Sequence, residues 1–234
     1  MSATKLNSSA AKHFPMWDVM LDEHFDCQYN GLDWDEKERE RVFFQSNELL
    51  MSIAEHFFSL GKFKDSWDNS KCYINVYGQN LLLKSEKLDT IFHWGLDEHY
   101  FYLECHIIYA ENLRYMNDEF YELILALKAL GDFEFFEVGR ITKDERPYYE
   151  NKTSTVFQLI RNFMLYQTEK MNGSNYQQPP SLDLGQFCLK WDAQRIDWEE
   201  LIEKASAAFK IMYNINYKLW KVSNTPKAKS SIAR

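Results

Sequence analysis

Residues 99–109, with the sequence HYFYLECHIIY, decide the fold class. In a β-strand, successive side chains point to opposite faces of the sheet. One face of this strand is therefore apolar, with Phe101, Leu103, Cys105, Ile107 and Tyr109, and the other is more polar, with Tyr100, Tyr102, Glu104, His106 and Ile108. The pattern predicts a strand that packs on the core through its apolar face.

Other segments predict the neighbours of this strand. Residues 71–77 alternate in polarity, residues 87–94 are rich in β-branched and aromatic side chains, and residues 132–139 contain three phenylalanines and a valine. Together with residues 99–109, these segments amount to about four strands, all within the middle of the chain.

Helix signals flank these strands. The stretches Asp33-Trp34-Asp35-Glu36 and Asp197-Trp198-Glu199-Glu200 each place an aspartate three residues before a glutamate, which is the capping-box spacing of a helix N-terminus. The first helix is expected to run to Gly61, as a C′ glycine, and the second to run to about Lys221.

Two more helices are predicted, one between Asn117 and Gly131 and one over residues 153–170. Because the strands cluster in the middle of the chain and the helices towards its ends, the predicted class is α+β. We expect a mostly antiparallel central sheet of about four strands within residues 71–139, covered by helices from the N- and C-terminal regions.

The chain is expected to form one globular domain over residues 13–222. Residues 172–186, NGSNYQQPPSLDLGQ, are predicted to be a flexible loop, because Gly, Ser, Asn and a Pro pair accumulate there. Residues 1–12 and 223–234 are predicted to be mobile tails, and the C-terminal tail is basic.

Charge and aromatic content together indicate the kind of partner. The 234 residues include 17 Phe, 14 Tyr and 7 Trp, and the formal net charge is −8. Residues 13–223 hold 35 acidic and 22 basic residues. An acidic body without a cluster of lysine and arginine disfavours nucleic acid and suits a basic protein, while Tyr and Trp suit protein interfaces.

The four cysteines, Cys27, Cys72, Cys105 and Cys188, are far apart and form no C-x-x-C motif, so we expect reduced thiols and a cytoplasmic protein. The sequence shows neither a signal-peptide core nor an apolar run of about 18 residues, so we expect neither secretion nor membrane insertion. Phosphate-loop, dinucleotide-binding and zincin motifs are missing, and we expect no cofactor and no bound metal.

Asp97, Glu104 and His106 are the candidate catalytic residues of an alternative interpretation. Glu104 and His106 would lie roughly 6.5–7 Å apart on one strand face, close enough to share a water or a substrate proton. The spacing approximates the acid, then acid-x-lysine, pattern of metal-dependent nucleases, but His106 stands where that pattern has lysine. A partly buried Glu–His hydrogen bond explains the same pair, so an enzyme is the less favoured class.

Two surfaces are candidates for binding a partner. If the strands pair in chain order, Tyr73 and Tyr77 lie near Tyr100 and Tyr102 on one sheet face, and these four are the candidate partner-binding residues. Residues 198–219 space apolar side chains alternately four and three apart, as a coiled-coil seam does. The candidate dimer-seam residues are Ile202, Phe209, Met212 and Asn216. Packing of this helix within its own domain explains the same spacing and is favoured.

The sequence thus predicts an acidic cytoplasmic protein that occludes a basic protein partner, such as a toxin, a nuclease or a defence component. Immunity proteins, antitoxins and anti-defence inhibitors act in this way, and acidic patches both steer and hold basic partners. The alternative is a divergent metal-dependent nuclease or hydrolase. A homodimer through residues 198–219 is compatible with the first prediction, whereas nucleic acid and membranes are not expected as partners.

Overall fold

The computed structural model describes residues 10–17, 19, 35–75, 78–97, 99–137 and 185–225. The helices whose bounds lie within these ranges are α1 (Glu36–Gly61), α2 (Asp118–Leu127) and α3 (Trp198–Asn224). The strands are β1 (Trp67–Asn75), β2 (Gly78–Ser85), β3 (Ile91–Asp97), β4 (Tyr100–His106), β5 (Asp132–Glu137) and β6 (Gly185–Asp192). Two 3₁₀ segments span Ala10–Lys12 and Ala110–Tyr115.

These six strands form one antiparallel sheet in the order β1-β2-β3-β4-β6-β5. The predicted α+β class and antiparallel sheet are confirmed, with six strands where about four were predicted. The unpredicted strands are β2 and β6. Gly185 and Gln186, which the sequence placed in a flexible loop, belong to β6, because β6 lies between β4 and β5 and pairs with both.

One face of the sheet forms the core. β4 alternates as predicted, with Phe101, Leu103 and Cys105 fully buried. Cross-strand pairs continue this apolar face over the sheet, and one row of them runs through Leu81, Trp94, Leu103, Leu189 and Phe133. Helices α1 and α3 pack with these strands in one hydrophobic core.

Aromatic rings fill the space between the sheet and the two helices. The ring of Phe209 on α3 lies 4.4 Å from that of Phe92 and 4.5 Å from that of Phe57, measured between centroids. Trp94 also meets Phe57, edge to face at 5.2 Å. Such aromatic pairs add to the stability that burial provides. These aromatic residues therefore belong to the core and do not contribute to a binding surface.

Strand β4 ends three residues earlier than the sequence pattern predicts. Tyr109 has a left-handed backbone, with φ 56°, and leads into the 3₁₀ segment Ala110–Tyr115. Ile107 and Ile108 are both buried, although alternation places them on opposite faces. The pleat therefore stops at His106, and the polar face of β4 consists of Tyr100, Tyr102, Glu104 and His106.

One of the two predicted helix starts is correct, and the other lies two residues too early. Asp197 caps α3 as predicted, and its carboxylate accepts a hydrogen bond from the Glu200 N–H at 2.8 Å. The cap of α1 is Asp35 instead of the predicted Asp33, and its carboxylate accepts from the Lys37 N–H at 3.1 Å. A second aspartate in the same stretch satisfies the same orphan N–H groups, so the helix begins two residues later.

Two glycines predicted as helix-ending residues serve a different purpose. The left-handed residue after α1 is Lys62, with φ 49°, and Gly61 is the last helical residue. A Cβ at Gly61 would overlap the ring of Phe63, and a Cβ at Gly131 would lie 2.9 Å from Nε1 of Trp191. Both positions need glycine because an aromatic ring packs directly on the backbone.

The candidate dimer seam of α3 lies inside the domain. Ile202, Phe209, Met212 and Asn216 are all buried. The amide Nδ2 of Asn216 donates to Sγ of Cys105 at 3.1 Å, so the polar member of the seam bonds within its own chain. This face of α3 contacts β4, β6 and α1, which is the favoured alternative, and it does not present a surface to a second copy.

Several predicted segments lie outside the described residues: the helix over residues 153–170, residues 172–184 of the loop, and residues 1–9 and 226–234 of the tails. At the inner ends of the tails, Ala10–Lys12 form a 3₁₀ turn, and Ser223 and Asn224 belong to α3. In the part of the chain that the structure describes, no helix is both long enough and apolar enough to cross a membrane.

Candidate partner-binding site

The sheet face opposite the core carries the candidate residues. Directly paired residues of an antiparallel sheet lie on the same face. We define the polar sheet face by three rows of such pairs: Asp97–Tyr100–Asp192, Gly95–Tyr102–Lys190–Asp132 and His93–Glu104–Cys188–Glu134. These rows contain five acidic positions and one lysine, so the face is acidic at neutral pH.

Tyr100 is exposed at one end of this face. Its side chain is 45% accessible and stands at the start of β4. Both cross-strand neighbours are aspartate positions, Asp97 on β3 and Asp192 on β6. The half-buried carboxylate of Asp192 forms an ion pair with the exposed Arg195 at 3.1 Å, and pairs of this kind near the surface are weak in water. Tyr100 thus combines an accessible ring with a neighbouring carboxylate on Asp192.

Tyr102, His93 and Glu104 form a chain of polar contacts further along the face. The Tyr102 hydroxyl lies 3.2 Å from Nε2 of His93, and the two rings meet edge to face. Nδ1 of His93 lies 3.5 Å from Oε2 of Glu104. In the tautomer with the proton on Nδ1, the ring faces the carboxylate with N–H and accepts from the Tyr102 hydroxyl through Nε2. The chain holds Tyr102 in one orientation.

Cys188 and Lys190 complete the middle of the face. Burial, followed by the charge on Glu104, raises the pKa of the Cys188 thiol well above its ordinary value. The thiol is therefore protonated at neutral pH and has little nucleophilic character. Lys190 Nζ lies 3.5 Å from Oε2 of Glu134, so the lysine of the face is partly neutralised by a neighbouring acid.

The structure separates Tyr73 from Tyr100 and Tyr102, which lie together on one face of β4 as predicted. Tyr73 pairs with Asn80, Asn80 with Gly95, and Gly95 with Tyr102. Tyr73 therefore lies in the same row as Tyr102 but three strands away, about 14 Å at the usual strand spacing. The unpredicted strand β2 accounts for part of this distance. Tyr77 lies outside the described residues.

The candidate catalytic residues do not converge on one point. Asp97 pairs with Tyr100, four residues before Glu104, and its position is about 13 Å from that of Glu104 along the strand. The side chain of Glu104 lies next to His93, with Oε2 3.5 Å from Nδ1, while His106 lies two residues beyond Glu104 on the same face. In the ranges that the structure describes, no group of three or more His, Cys, Asp or Glu is placed to hold a metal ion.

An open depression of about 430 Å³ continues the site beside the Tyr100 end of the sheet. It lies where β6 meets the end of α2 and the first turns of α3, and its charged lining is mixed: Lys128, Asp132, Lys190, Asp192, Arg195, Glu200 and Lys204. Asp132, Lys190 and Asp192 also belong to the polar sheet face. Because opposite charges alternate here, the depression suits polar contacts at the rim of an interface.

Two residues of the site were missed by the sequence reasoning. His93 lies in a segment predicted to be a strand, where alternation with Phe92 and Trp94 places it on the polar face. Asp192 belongs to β6, in which Phe187, Leu189 and Trp191 alternate with polar residues. The same alternation that identified β4 was the available signal in both cases.

No protein-family model matches the chain, and no curated protein or solved structure matches it either. The chain is an α+β protein whose antiparallel sheet packs helices on one face and carries acidic and aromatic residues, among them the exposed Tyr100, on the other.

Proposed function

We propose that this protein binds a basic protein partner and acts by occluding it, in the manner of an immunity protein, an antitoxin or an anti-defence inhibitor. The observation that carries the proposal is the exposed Tyr100 between Asp97 and Asp192 on an acidic sheet face. The excess of acidic residues over the whole chain, with a net charge of −8, favours the same kind of partner.

Aromatic and charged residues contribute to protein binding in different ways, and this face has both. A tyrosine buries a large ring at little cost in side-chain entropy and is enriched among the residues that dominate binding energy. Surrounding acids raise the rate of encounter with a basic surface and repel other acidic proteins. Rigid strands support both functions, because a partner need not order the surface that it binds.

A nucleic-acid partner fits this face less well. Stacking platforms for single strands combine aromatic rings with a positively charged groove. Here the ring of Tyr100 is flanked by two aspartate positions, and Lys190 lies 3.5 Å from Glu134. The acidic surroundings would repel a phosphate backbone.

The proposal includes a cytoplasmic location. Cys105 and Cys188 are buried as thiols outside any disulfide, and reduced thiols are ordinary in the cytoplasm. A protein exported to an oxidising compartment would more often pair its cysteines.

The test is affinity capture from the cell that encodes the protein, followed by binding measurements on each recovered protein. We expect a basic partner whose affinity falls steeply between low and high salt. Tyr100→Ala should weaken binding by about tenfold or more, and Asp192→Lys should slow association. Leu60→Ala, at an exposed position on α1, is the control and should leave binding unchanged.

Two results would refute the proposal. One is the recovery of nucleic acid alone. The other is a recovered protein whose affinity is unaffected by both Tyr100→Ala and Asp192→Lys while both variants remain folded, because the partner would then bind elsewhere.

A further inference from the structure

Helix α2 presents a second surface, on elements distinct from the polar sheet face. We define the α2 outer face by Tyr115, Asp118, Glu119, Glu122 and Leu125. All five are exposed, with Tyr115 at 59% and Leu125 at 55%. The opposite side of the helix is buried through Phe120, Ile124 and Leu127. Tyr115 and Leu125 are large exposed side chains at the two ends of an acidic stretch, and the guanidinium of Arg114 lies 4.7 Å from the centroid of the Tyr115 ring.

The support beneath this face is firm. Asn112 donates through Nδ2 to the main-chain oxygen of Leu219 at 2.9 Å and to Oγ of Ser223 at 2.6 Å, which ties the segment before α2 to α3. The hydroxyl of Tyr121 donates to the main-chain oxygen of Leu113 at 3.4 Å. A partner would therefore meet a surface that needs little ordering.

The needs of the fold account for only part of the face. Asp118 and Glu119 lie in the first turn of α2, where acids stabilise the positive end of the helix dipole. Glu119 also lies 3.5 Å from Nζ of Lys218. Glu122 lies beyond the first turn, and no described residue forms an ion pair with Asp118 or Glu122. Neither the dipole nor packing explains the exposure of Leu125.

Charge and spacing together specify the occupant. Asp118, Glu122 and Leu125 follow one another at intervals of four and three residues and share one stripe of the helix. From Asp118 to Leu125 the stripe covers seven residue steps, about 10 Å along the axis. A partner helix complements it with two basic side chains and one apolar side chain at the same intervals, because the basic groups meet the acids while the apolar group meets Leu125.

We infer that the α2 outer face is a second docking surface and that its occupant is a basic amphipathic helix of a partner protein. The inference goes beyond the proposed function, since none of these residues belongs to the sheet. The two surfaces are independent in the test, because substitutions on one leave the other intact.

The probe is an alanine-based helical peptide of 14 residues with Lys, Lys and Leu at the intervals of the stripe, and the control peptide has Glu in place of both Lys. Amide chemical shifts of the labelled full-length protein are followed during titration with each peptide. We expect shifts centred on residues 115–129 for the basic peptide alone. Glu122→Lys and Leu125→Ser should each weaken binding at least fivefold, and Tyr100→Ala should leave it unchanged.

Any of three results would overturn the inference. The first is no shift at millimolar basic peptide, and the second is equal binding of the acidic peptide or binding retained in Glu122→Lys. The third is a homodimer in sedimentation velocity that Leu125→Ser dissociates, because the occupant would then be a second copy of this chain. Both variants change exposed residues, so the fold is expected to persist, and the dispersion of the amide spectrum checks this.

Discussion

The side chain of Asn216 takes the place of a strand partner for Ile108, 108 residues earlier in the chain. Its Oδ1 accepts the buried N–H of Ile108 at 3.3 Å, just after β4 has ended. Its Nδ2 donates to Sγ of Cys105 and to the main-chain oxygen of Met212. The polar residue in the apolar stripe of α3 thus fixes that helix to the end of the central strand.

Asn216→Leu should lower the free energy of unfolding by about 1–3 kcal/mol. The substitution keeps the side chain similar in size but leaves the Ile108 N–H buried without an acceptor. Urea denaturation measures the change. Asn224→Ala is the control, since Asn224 bonds only at the exposed end of the same helix, and it should cost less than about 0.5 kcal/mol. Equal losses in both variants would contradict the assigned role.

Asp65→Ala should destabilise the protein by about 2–4 kcal/mol, since hydrogen bonds to a charged group contribute more than neutral ones. The Asp65 carboxylate accepts from the N–H groups of Ser66 and Lys87 and from the hydroxyls of Ser85 and Tyr213. It therefore joins the β2–β3 hairpin to α3. Denaturant unfolding is the measurement.

A second measurement isolates the Asp65–Tyr213 contact. Burial, and then the charge and hydrogen bond of Asp65, raise the pKa of Tyr213 above its ordinary value. Ultraviolet titration should show this pKa falling in Asp65→Ala. Asp89→Asn, which removes the exposed partner of Lys84, is the control and should shift stability by less than about 1 kcal/mol. An unchanged Tyr213 pKa in Asp65→Ala would show that the Asp65 carboxylate does not influence the Tyr213 hydroxyl.

Stability should fall as the pH drops below about 6.5, in part because of His56. Burial lowers the pKa of His56, and the nearby charge of Glu55 opposes this effect. The unfolded chain then binds the proton at a higher pH than the folded chain, so acid favours unfolding until the folded-state pKa has been passed. The free energy of unfolding of His56→Gln should depend less on pH between 7.5 and 5 than that of the wild type.

Glu55→Gln provides the matched comparison for His56. Removal of the opposing charge lowers the folded-state pKa of His56 further, so the loss of stability in acid should become larger. Identical pH profiles in all three proteins would show that His56 does not contribute.

Gly131→Ala should destabilise the protein by about 1–3 kcal/mol, because the added methyl group meets the indole of Trp191 at 2.9 Å. Trp191 cannot easily move away, since its Nε1 donates to the main-chain oxygen of Leu130 at 2.7 Å. Thermal unfolding and tryptophan fluorescence report the effect. Ala129→Ser, at an exposed position nearby, should be neutral. A Gly131→Ala protein with unchanged stability and fluorescence would show that the site accommodates the methyl group without strain at the indole of Trp191.

The parts of the fold that the sequence predicted are those where one local rule is enough. Alternation placed Phe101 and Leu103 inward and Tyr100 outward, and Asp197 capped its helix as expected. Strand β2 was not predicted because its run Leu81-Leu82-Leu83 does not alternate between apolar and polar residues. Leu81 and Leu83 are buried because they point to the core face of the sheet, where β2 contacts α1.

The arrangement of residues in the site could not be predicted from local sequence patterns. His93 and Glu104 meet only because β3 and β4 pair in one particular register, and a shift by one residue would move them to opposite faces. The position of Asp192 beside Tyr100 depends on β6 lying next to β4, a pairing between distant segments. Residue type indicated the acidic and aromatic character of the surface, whereas proximity came from topology.

The position of β6 between β4 and β5 also has a consequence for synthesis on the ribosome. Strands β1 to β4 emerge as a meander in which each strand can pair with its predecessor. β5 emerges next but lacks its native neighbour, because its partner in the described sheet, β6, begins at residue 185. Phe133 and Phe135 can therefore pack against Phe187 only after β6 has been synthesised. Nascent chains that stall before β6 should expose these rings and engage chaperones.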